Sequence, residues 1–524
     1  MFDTAVFALR GDPVHSRAMR RVLALCSASL VAFVTACSSP DGGSRATPLP
    51  PLGTVKLTTE TRLEPVRGVD GAASRSPGVP ANLTAMVAEG YGETRAIGGE
   101  AITGRTLDGA AAPAFPQGSV RLARFVHLAD TQLADDESPA RVARLDNPGA
   151  AGGAYRPQEY LGCVMLRAAV RTINAIHRAD PLDAVVLGGD NADNAQTNEV
   201  EWFLGLLRGG TEVHCDSGAD DDLVPGPDND GKDPLVSEGL TAPWLWVTGN
   251  HDILNQGTIR TTVNAEEPIG TVASLGTRDW TVAGGPIRSG DFVVADPQRA
   301  YLTRTELMAR VLADGNGHGL KAANGASGRA DYTFDLGTKL RVIALDTAAE
   351  TGSSEGVLRT GVIDGFLKPA LDAAKRDGKY VILTSHHAST SLTDGSDAGG
   401  TRQPDAISTS DFRALLASYP NVIMHLAAHS HEHKAEAVSG ANPYWEVKSA
   451  SLMDYPHQPK IYELWQTPTG DVVVRTVAFD FSTEGDPLAS LARTIGVVDY
   501  TCGYTPDGRG RAADRNLDLW VTKR

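Results

Sequence analysis

The chain has 524 residues, and its 48 basic and 64 acidic side chains give a formal net charge of −16. An acidic balance of this size argues against a nucleic-acid-binding function, because neutralising phosphates takes clustered Lys and Arg. With 41% hydrophobic residues, 55 Gly and 30 Pro, the composition excludes a coiled coil, a collagen and a polytopic membrane protein and indicates a loop-rich globular protein.

The N-terminus has the pattern of an export signal. Basic residues at 17–21 precede an apolar run at 22–36, which Cys37 follows directly. The run is shorter than the ~20 residues that span a bilayer and is typical of a secretory signal peptide. The letters VTAC at its end resemble a bacterial lipobox, which predicts a lipid on Cys37; the alternative is a plain signal peptide with an incidental Cys. We expect an exported protein, periplasmic or at the cell surface, whose membrane contact is that lipid anchor.

Composition divides the rest of the chain into a central domain with flanking extensions. The predicted segments are a signal peptide with lipobox (1–37), a tether and weakly determined N-terminal extension (38–117), a central domain (118–482) and a C-terminal extension (483–524). Long insertions are predicted in the central domain near 208–240, 255–330 and 388–410, and loops of that length are usually functional or disordered.

Two smaller features concern cysteines and acidic residues. Cys163, Cys215 and Cys502 lie beyond the signal region, an odd number that allows one disulfide without fixing the pair. The stretch 228–233 (DNDGKD) is similar to half of a calcium-binding loop but lacks the full ligand spacing and the terminal Glu. A calcium site in the 216–233 loop and a solvated acidic loop are therefore both open hypotheses.

The central domain carries six short apolar runs that predict strands. They are rich in β-branched residues and nearly unalternating, which indicates strands covered on both faces. Apolar residues at three-to-four spacing predict helices over 158–179 and 361–378 between them. The runs are RFVHLA, DAVVLGG, WLWVTG, LRVIALD, YVILTS and VIMHLAA. The pattern predicts an α/β protein with a largely buried sheet.

Polar residues whose side chains commonly bind metal ions follow five of these runs. Because ligands in open α/β sheets gather at the carboxyl ends of the strands, we expect these groups to converge. Carboxylates, carboxamides and imidazoles suit two divalent ions such as Mn, Fe, Zn or Co, and a carboxylate bridging them would hold a site able to activate water for phosphoryl displacement. The groups are Asp130-Thr131-Gln132, Asp190-Asn191-Ala192-Asp193, Asn250-His251-Asp252, His386-His387 and His429-Ser430-His431.

In this order, the five blocks resemble the calcineurin-like metallophosphoesterase superfamily, and segments near 444–464 and 514–516 resemble a poorly characterised bacterial secreted branch of it. The resemblance implies a four-layer α/β/β/α sandwich of two mixed sheets. It also implies a binuclear metal-dependent hydrolase that attacks a small-molecule phosphomonoester or phosphodiester with a metal-bound hydroxide.

The resemblance also implies a role for each matching residue. His251 would protonate the leaving oxygen and Asp193 would orient it. The implied metal ligands are Asp190 as the bridge, Asp130 and His431 at one site with Gln132 as a further candidate, and Asn250, His386 and His429 at the other.

Two positions depart from the family pattern. Gln132 stands where the family has a metal-binding His, and Ala428 stands where it has a Gly before His429. A carboxamide is a weaker and harder ligand than an imidazole, so the Asp130 site would bind its metal more loosely. This leaves an alternative hypothesis: a non-catalytic or one-metal surface lipoprotein with a degenerate phosphoesterase fold that acts as a binding module.

Overall fold

The computed structural model describes residues 46–70, 75–148, 153–314 and 319–521. The predicted signal peptide and Cys37 lie outside these ranges. None of the described helices combines the length and the apolar character that crossing a membrane requires.

The described ranges contain nine α-helices and 21 strands in mixed order. The helices are α1 (Pro80–Ala88), α2 (Gly162–Ala179), α3 (Thr197–Arg208), α4 (Arg304–Ala313), α5 (Ala322–Ser327), α6 (Thr360–Val362), α7 (Lys368–Arg376), α8 (Thr409–Ala417) and α9 (Pro487–Thr501). The first strands are β1 (Thr61–Pro65), β2 (Thr94–Gly98), β3 (Thr103–Thr106), β4 (Val120–Leu128), β5 (Ala184–Leu187), β6 (Glu212–Val213), β7 (Leu235–Val236), β8 (Trp244–Trp246), β9 (Leu254–Asn255) and β10 (Ile259–Arg260). The later strands are β11 (Val272–Arg278), β12 (Ile287–Asp291), β13 (Tyr332–Leu336), β14 (Leu340–Ala344), β15 (Tyr380–Thr384), β16 (Val422–Ala427), β17 (Lys434–Val438), β18 (Tyr444–Lys448), β19 (Lys460–Gln466), β20 (Val472–Ala478) and β21 (Leu517–Val521).

Two mixed sheets form the centre of the molecule. One has seven strands in the order β3-β21-β20-β19-β4-β5-β8, and the other has six in the order β13-β14-β15-β16-β18-β17. Strands β4, β5 and β8 run parallel in the first sheet, as do β14, β15 and β16 in the second. These six strands are the six apolar runs of the sequence, so that prediction is confirmed.

Helices cover the outer faces of the two sheets. One apolar core joins both sheets to α2 and α3, and a second lies between the six-stranded sheet and α7 and α8. The predicted helix at 158–179 is α2 after a single 3-10 turn, and the one at 361–378 is a continuous run from α6 to α7. The predicted four-layer α/β/β/α sandwich of two mixed sheets is confirmed.

The segments that flank the predicted central domain contribute strands to the same seven-stranded sheet. Strand β3 from the N-terminal side pairs with β21 from the C-terminal side, and β21 pairs with β20. Sequence patterns alone did not predict either terminal strand.

A disulfide joins Cys163 at the start of α2 to Cys215 in the 208–240 insertion, and Cys502 is a buried free thiol. The bond ties that insertion to the helix layer of the sandwich. Among the cysteine pairings that the sequence left open, the structure therefore contains Cys163–Cys215.

Candidate metal centre

All the predicted site residues lie at the carboxyl ends of strands that the fold brings face to face. Strands β4, β5 and β8 lead into the segments that carry Asp130, Asp190 and Asn250. From the other sheet, β15 leads into His386 and β16 into His429. Two sheet edges therefore supply one centre, as expected for ligands at the ends of parallel strands.

The backbone at this centre is held in an unusual conformation. Five of the predicted residues have positive φ values between 41° and 67°, a region that few residues other than Gly adopt. Such strain persists where the surrounding structure fixes it, and it clusters at functional sites. The five are Asp130, Gln132, Asp190, His429 and His431.

Close packing beneath Asp190 requires Gly at two neighbouring positions. Gly189 has φ 91°, and a Cβ there would lie 2.7 Å from His386 Nδ1. A Cβ on Gly249 would lie 2.0 Å from Asp190 Oδ1. Any side chain at either position would displace Asp190 or His386.

Asp130 and Asp190 are the two central carboxylates, and both are buried. Asp130 Oδ1 accepts a hydrogen bond from the His429 backbone N–H at 3.2 Å and lies 3.3 Å from His431 Nε2. Asp190 Oδ2 lies 3.1 Å from His386 Nε2, which is also 3.9 Å from Asp130 Oδ1. The imidazole of His386 therefore stands between the two carboxylates.

Two of the three predicted imidazole ligands are oriented by an acceptor behind them. His386 donates from Nδ1 to Gly188 O at 2.9 Å, and His431 donates from Nδ1 to Asp454 at 2.6 Å. Both rings present Nε2 to the centre. His429 Nε2 lies 3.8 Å from the carboxylate of Glu355, beyond hydrogen-bond distance. An acceptor behind a metal-binding imidazole fixes its tautomer and raises its basicity.

Three ligand-type oxygens at the centre are buried without a hydrogen-bond partner. They are Asp130 Oδ2, Gln132 Oε1 and Asn250 Oδ1. The Asn250 amide group donates to Gly257 O at 3.0 Å, so its oxygen is the atom left over. Burying such atoms unpaired is costly, whereas a bound cation would satisfy all of them. The residues present therefore fit divalent metal ions.

The electrostatics of the centre also favour cations. Burial favours the neutral imidazole, but Asp190 outweighs it and raises the pKa of His386 to about 9. Asp130 and Asp454 outweigh burial in the same way and raise the pKa of His431 to about 10. The carboxylates thus draw protons onto both rings, and a metal ion would take the place of those protons.

His251 lies beside the centre rather than within it. Its Nδ1 is 2.9 Å from Asp193 Oδ1 and 3.0 Å from the Asp193 carbonyl, and its Nε2 is 3.9 Å from Asp190 Oδ2. Burial lowers the pKa of His251, but the charges of Asp190 and Asp193 outweigh burial and raise it. With Nδ1 directed at Asp193, the Nε2 side of the ring faces Asp190 and the centre.

Exposure shows from which side a molecule can reach the centre. The side chains of His251, His429 and His431 are 14–17% exposed, whereas those of Asp130 and His386 are fully buried. The three partly exposed imidazoles therefore line the mouth of the site.

His387 belongs to the same cluster but is already engaged. Its Nδ1 lies 2.9 Å from Thr347 Oγ1 and its Nε2 lies 3.0 Å from Ser354 O, so neither nitrogen is left for a metal. Its ring packs against that of His429, with centroids 4.5 Å apart. We interpret His387 as a support for His429.

Sequence reasoning missed the residues that hold the predicted ones in place. Asp252, the last letter of the Gly-Asn-His-Asp block, accepts backbone N–H groups from Gly249 at 2.7 Å and Asn191 at 2.9 Å, and it fixes the Asp190 turn. Its position inside the Gly-Asn-His-Asp block could have identified it from the sequence.

Two buried arginines hold the carboxylates of Asp193 and Asp454 in place. Arg141 donates to Asp193 at 2.9 Å, and Arg156 donates from Nε to Asp454 at 2.6 Å. The sequence patterns did not single out Arg141 or Arg156, and the resemblance of the segment 444–464 assigned no role to Asp454.

The half calcium loop at 228–233 has its carboxylates occupied by its own backbone. Asp233 accepts N–H groups from Asn229 at 2.7 Å and Asp230 at 3.2 Å, and Asp230 accepts from Lys232 at 2.8 Å. Asp228 forms an ion pair with Arg167 at 2.7 Å. These contacts close a turn, and calcium binding by this stretch stays a prediction.

The family model of the calcineurin-like phosphoesterases matches residues 123–433, more than half of the chain. Among solved structures, a dimetal phosphatase from Danio rerio is similar at 13% identity and a TM-score of 0.38, covering 69% of this chain and 100% of its own. The Thermus thermophilus sulfate thiohydrolase SoxB is similar at 13% identity and a TM-score of 0.30, with 74% of this chain and 61% of its own covered. No curated protein matches the chain.

Proposed function

The chain belongs to the calcineurin-like phosphoesterase family, and from that premise we propose that it is a binuclear metal-dependent hydrolase of small phosphate esters. The observation that carries the proposal is the set of three buried, unpartnered ligand oxygens at the meeting point of the two sheets. This donor set suits two divalent metal ions, of Mn, Fe, Zn or Co.

The proposed ligand atoms follow from the hydrogen bonds behind each side chain. Asp190 would bridge the two ions. Asp130 and His431 Nε2 would hold one ion, with the Gln132 oxygen as a further ligand. The Asn250 oxygen, His386 Nε2 and His429 would hold the other. His386 and His431 each have the remaining nitrogen hydrogen-bonded to an acceptor.

When bound, the ions would supply Lewis-acid stabilisation of the phosphoryl group and lower the pKa of water. The protein fixes where this chemistry would take place, because the carboxylates that would hold the ions are buried and the partly exposed imidazoles lie at the mouth. A phosphate ester entering there would place its leaving oxygen towards His251.

His251 is the proposed general acid. Asp193 accepts its Nδ1–H, which keeps the second proton on Nε2, where it can pass to the leaving oxygen. Arg141 holds the other oxygen of Asp193 at 2.9 Å and is itself held by Glu159 at 2.7 Å. This chain of contacts sets the direction of the imidazole, and general acid catalysis depends on that geometry.

We also propose that the protein is exported and lipid-anchored through Cys37. The N-terminal sequence supports this, and so does the Cys163–Cys215 disulfide, because disulfides persist in oxidising compartments. Metabolic labelling with a radioactive fatty acid tests the proposal: a Cys37→Ala variant should lose the label, and an unlabelled parent protein would contradict the anchor.

The catalytic proposal is tested by hydrolysis of bis-p-nitrophenyl phosphate and p-nitrophenyl phosphate after reconstitution with Mn. His386→Ala should abolish turnover and reduce bound metal, whereas His177→Ala, at a partly exposed imidazole in the last turn of α2, should change neither. Bound metal is counted by plasma mass spectrometry. About two ions per chain are expected from the ligand set, and a count of one with no turnover would instead favour a one-metal binding module.

A further inference from the structure

A second cluster of acidic side chains lies away from the metal centre, where the loop after Gln132 meets the 208–240 insertion. One carboxylate oxygen from each of Glu137, Asp216 and Asp221 lies within 4.8 Å of the other two. We name these three residues the acidic pocket. All three donors are hard oxygens, without a nitrogen or sulfur ligand among them.

Asp216 provides an observation beyond clustering. Its side chain is 1% exposed, and its Oδ1 is buried without a hydrogen-bond partner. Its Oδ2 accepts the backbone N–H of Asp221 at 3.2 Å and lies 3.7 Å from His214 Nε2. A carboxylate oxygen buried in this way is costly unless a cation meets it.

The charges around the pocket do not balance. Lys232 lies 2.8 Å from Asp136 and 2.7 Å from Glu137, and Arg278 lies 3.4 Å from Asp136. Across the described ranges, no Lys or Arg forms an ion pair with Asp216 or Asp221. Four carboxylates therefore lie close to two ion-paired cations, and a divalent ion would offset part of the excess negative charge. The four carboxylates belong to Asp136, Glu137, Asp216 and Asp221.

The surroundings hold the pocket in shape. The disulfide at Cys215 immediately precedes Asp216 in the chain. Ser217 Oγ donates to Asp135 at 2.8 Å, and Arg299 donates to Ser217 Oγ at 2.5 Å and to Asp135 at 2.9 Å. Preorganisation of this kind lowers the cost of bringing like charges together.

We propose that Glu137, Asp216 and Asp221 form a calcium site. Calcium takes about six to eight oxygen ligands in flexible geometry, so three carboxylates and water on the half-buried Asp221 side suit it. The half calcium loop at 228–233 is a poorer site, because Asp230 and Asp233 already accept backbone N–H groups. The proposal does not depend on phosphoesterase activity.

A bound calcium would join the 208–240 insertion to a loop that serves the metal centre. Glu137 lies between Gln132 and Arg141 in the chain, and Arg141 holds Asp193. The expected role of the ion is therefore to fix this loop against the disulfide-linked insertion.

Terbium luminescence gives a local test, because Trp280 donates from Nε1 to Asp136 at 2.9 Å beside the pocket. The purified protein is first loaded with Mn and then titrated with terbium, with excitation of tryptophan. We expect saturable emission that calcium displaces. Asp216→Asn and Glu137→Gln should each weaken terbium affinity by at least about tenfold through loss of a charged ligand, and Trp280→Phe should dim the emission while calcium still raises the melting temperature.

Two variants show where the ion binds. Asp230→Asn alters the half calcium loop at 228–233, and His386→Ala alters the metal centre. Both variants should keep the terbium emission and its displacement by calcium. Loss of emission in either variant would overturn the proposal by moving the ion elsewhere. Full affinity in Asp216→Asn, or neither emission nor a calcium-dependent rise in melting temperature in the parent, would also overturn it. If Asp216→Asn fails to fold, the half-buried Asp221→Asn provides the same comparison.

Discussion

Asp454→Asn tests whether the metal centre depends on a carboxylate behind one of its imidazoles. Asp454 accepts Nδ1–H of His431 at 2.6 Å and Nε–H of Arg156 at 2.6 Å. Asn keeps the shape of the side chain and one acceptor oxygen but removes the negative charge. The change therefore weakens His431 as a ligand without removing any ligand.

Two magnitudes follow from this geometry. Loss of the carboxylate partner of a metal-binding His typically lowers metal affinity by about 10–100-fold, or about 1.4–2.8 kcal/mol. Arg156 is 5% exposed and loses its ion pair, and breaking a buried pair costs about 3–5 kcal/mol. Because Asn can still accept one hydrogen bond, we expect the lower end, a loss of about 3 kcal/mol in the free energy of unfolding.

The assay is calorimetric titration of the metal-free protein with Mn²⁺, alongside urea unfolding in the presence of a chelator. Asp518→Asn is the matched control, because Asp518 pairs with Arg475 at 2.7 and 2.8 Å and contacts no residue of the centre. The control should lose stability but keep its metal affinity. If Asp454→Asn bound Mn²⁺ as tightly as the parent, the proposed role of the carboxylate would be refuted.

Three further predictions concern the same centre. His251→Ala should leave the metal content unchanged and lower turnover by roughly 10²–10⁴, the size of a general-acid contribution; loss of metal would instead make His251 a ligand. Gln132→His should slow metal dissociation from the Asp130 site, measured by chelator chase, and an unchanged rate would exclude Gln132 as a ligand. The pKa values of His386 and His431 are raised to about 9 and about 10, so both rings carry protons at neutral pH in the metal-free protein and must lose them to bind metal. Apparent Mn²⁺ affinity should therefore rise with pH between 6 and 9, by up to about 100-fold per pH unit if both protons leave, and a flat profile in calorimetric titrations would contradict this.

The six central strands were predictable because their burial leaves a local record. Strands covered on both faces are continuously apolar, and the polar residues that follow them mark where each strand ends. The order of those polar blocks also predicted the residues that meet at the centre, including Asp190 at the end of β5 and His386 at the end of β15.

Hydrogen bonds between distant residues left no such record. Arg156 and Asp454 are 298 residues apart, and each stands in a stretch whose local pattern is compatible with an ordinary surface loop. Strands β3 and β21 could not be predicted from local sequence either. They pair with each other at one edge of the seven-stranded sheet, so the position of each depends on the other. Such pairings arise only when the layers have formed.

By itself, the sequence determined the fold class, the two groups of parallel strands and the residue types gathered at their carboxyl ends. Only the tertiary structure decided which nitrogen of His386 and of His431 faces the centre, which carboxylates are supported by arginine, and that Cys163 pairs with Cys215. The physical reason is the distance along the chain between the residues concerned. Apolar periodicity and the polar residues at strand ends are set by a few neighbouring residues. Buried hydrogen bonds and charge balance instead depend on distant segments that only folding brings into contact.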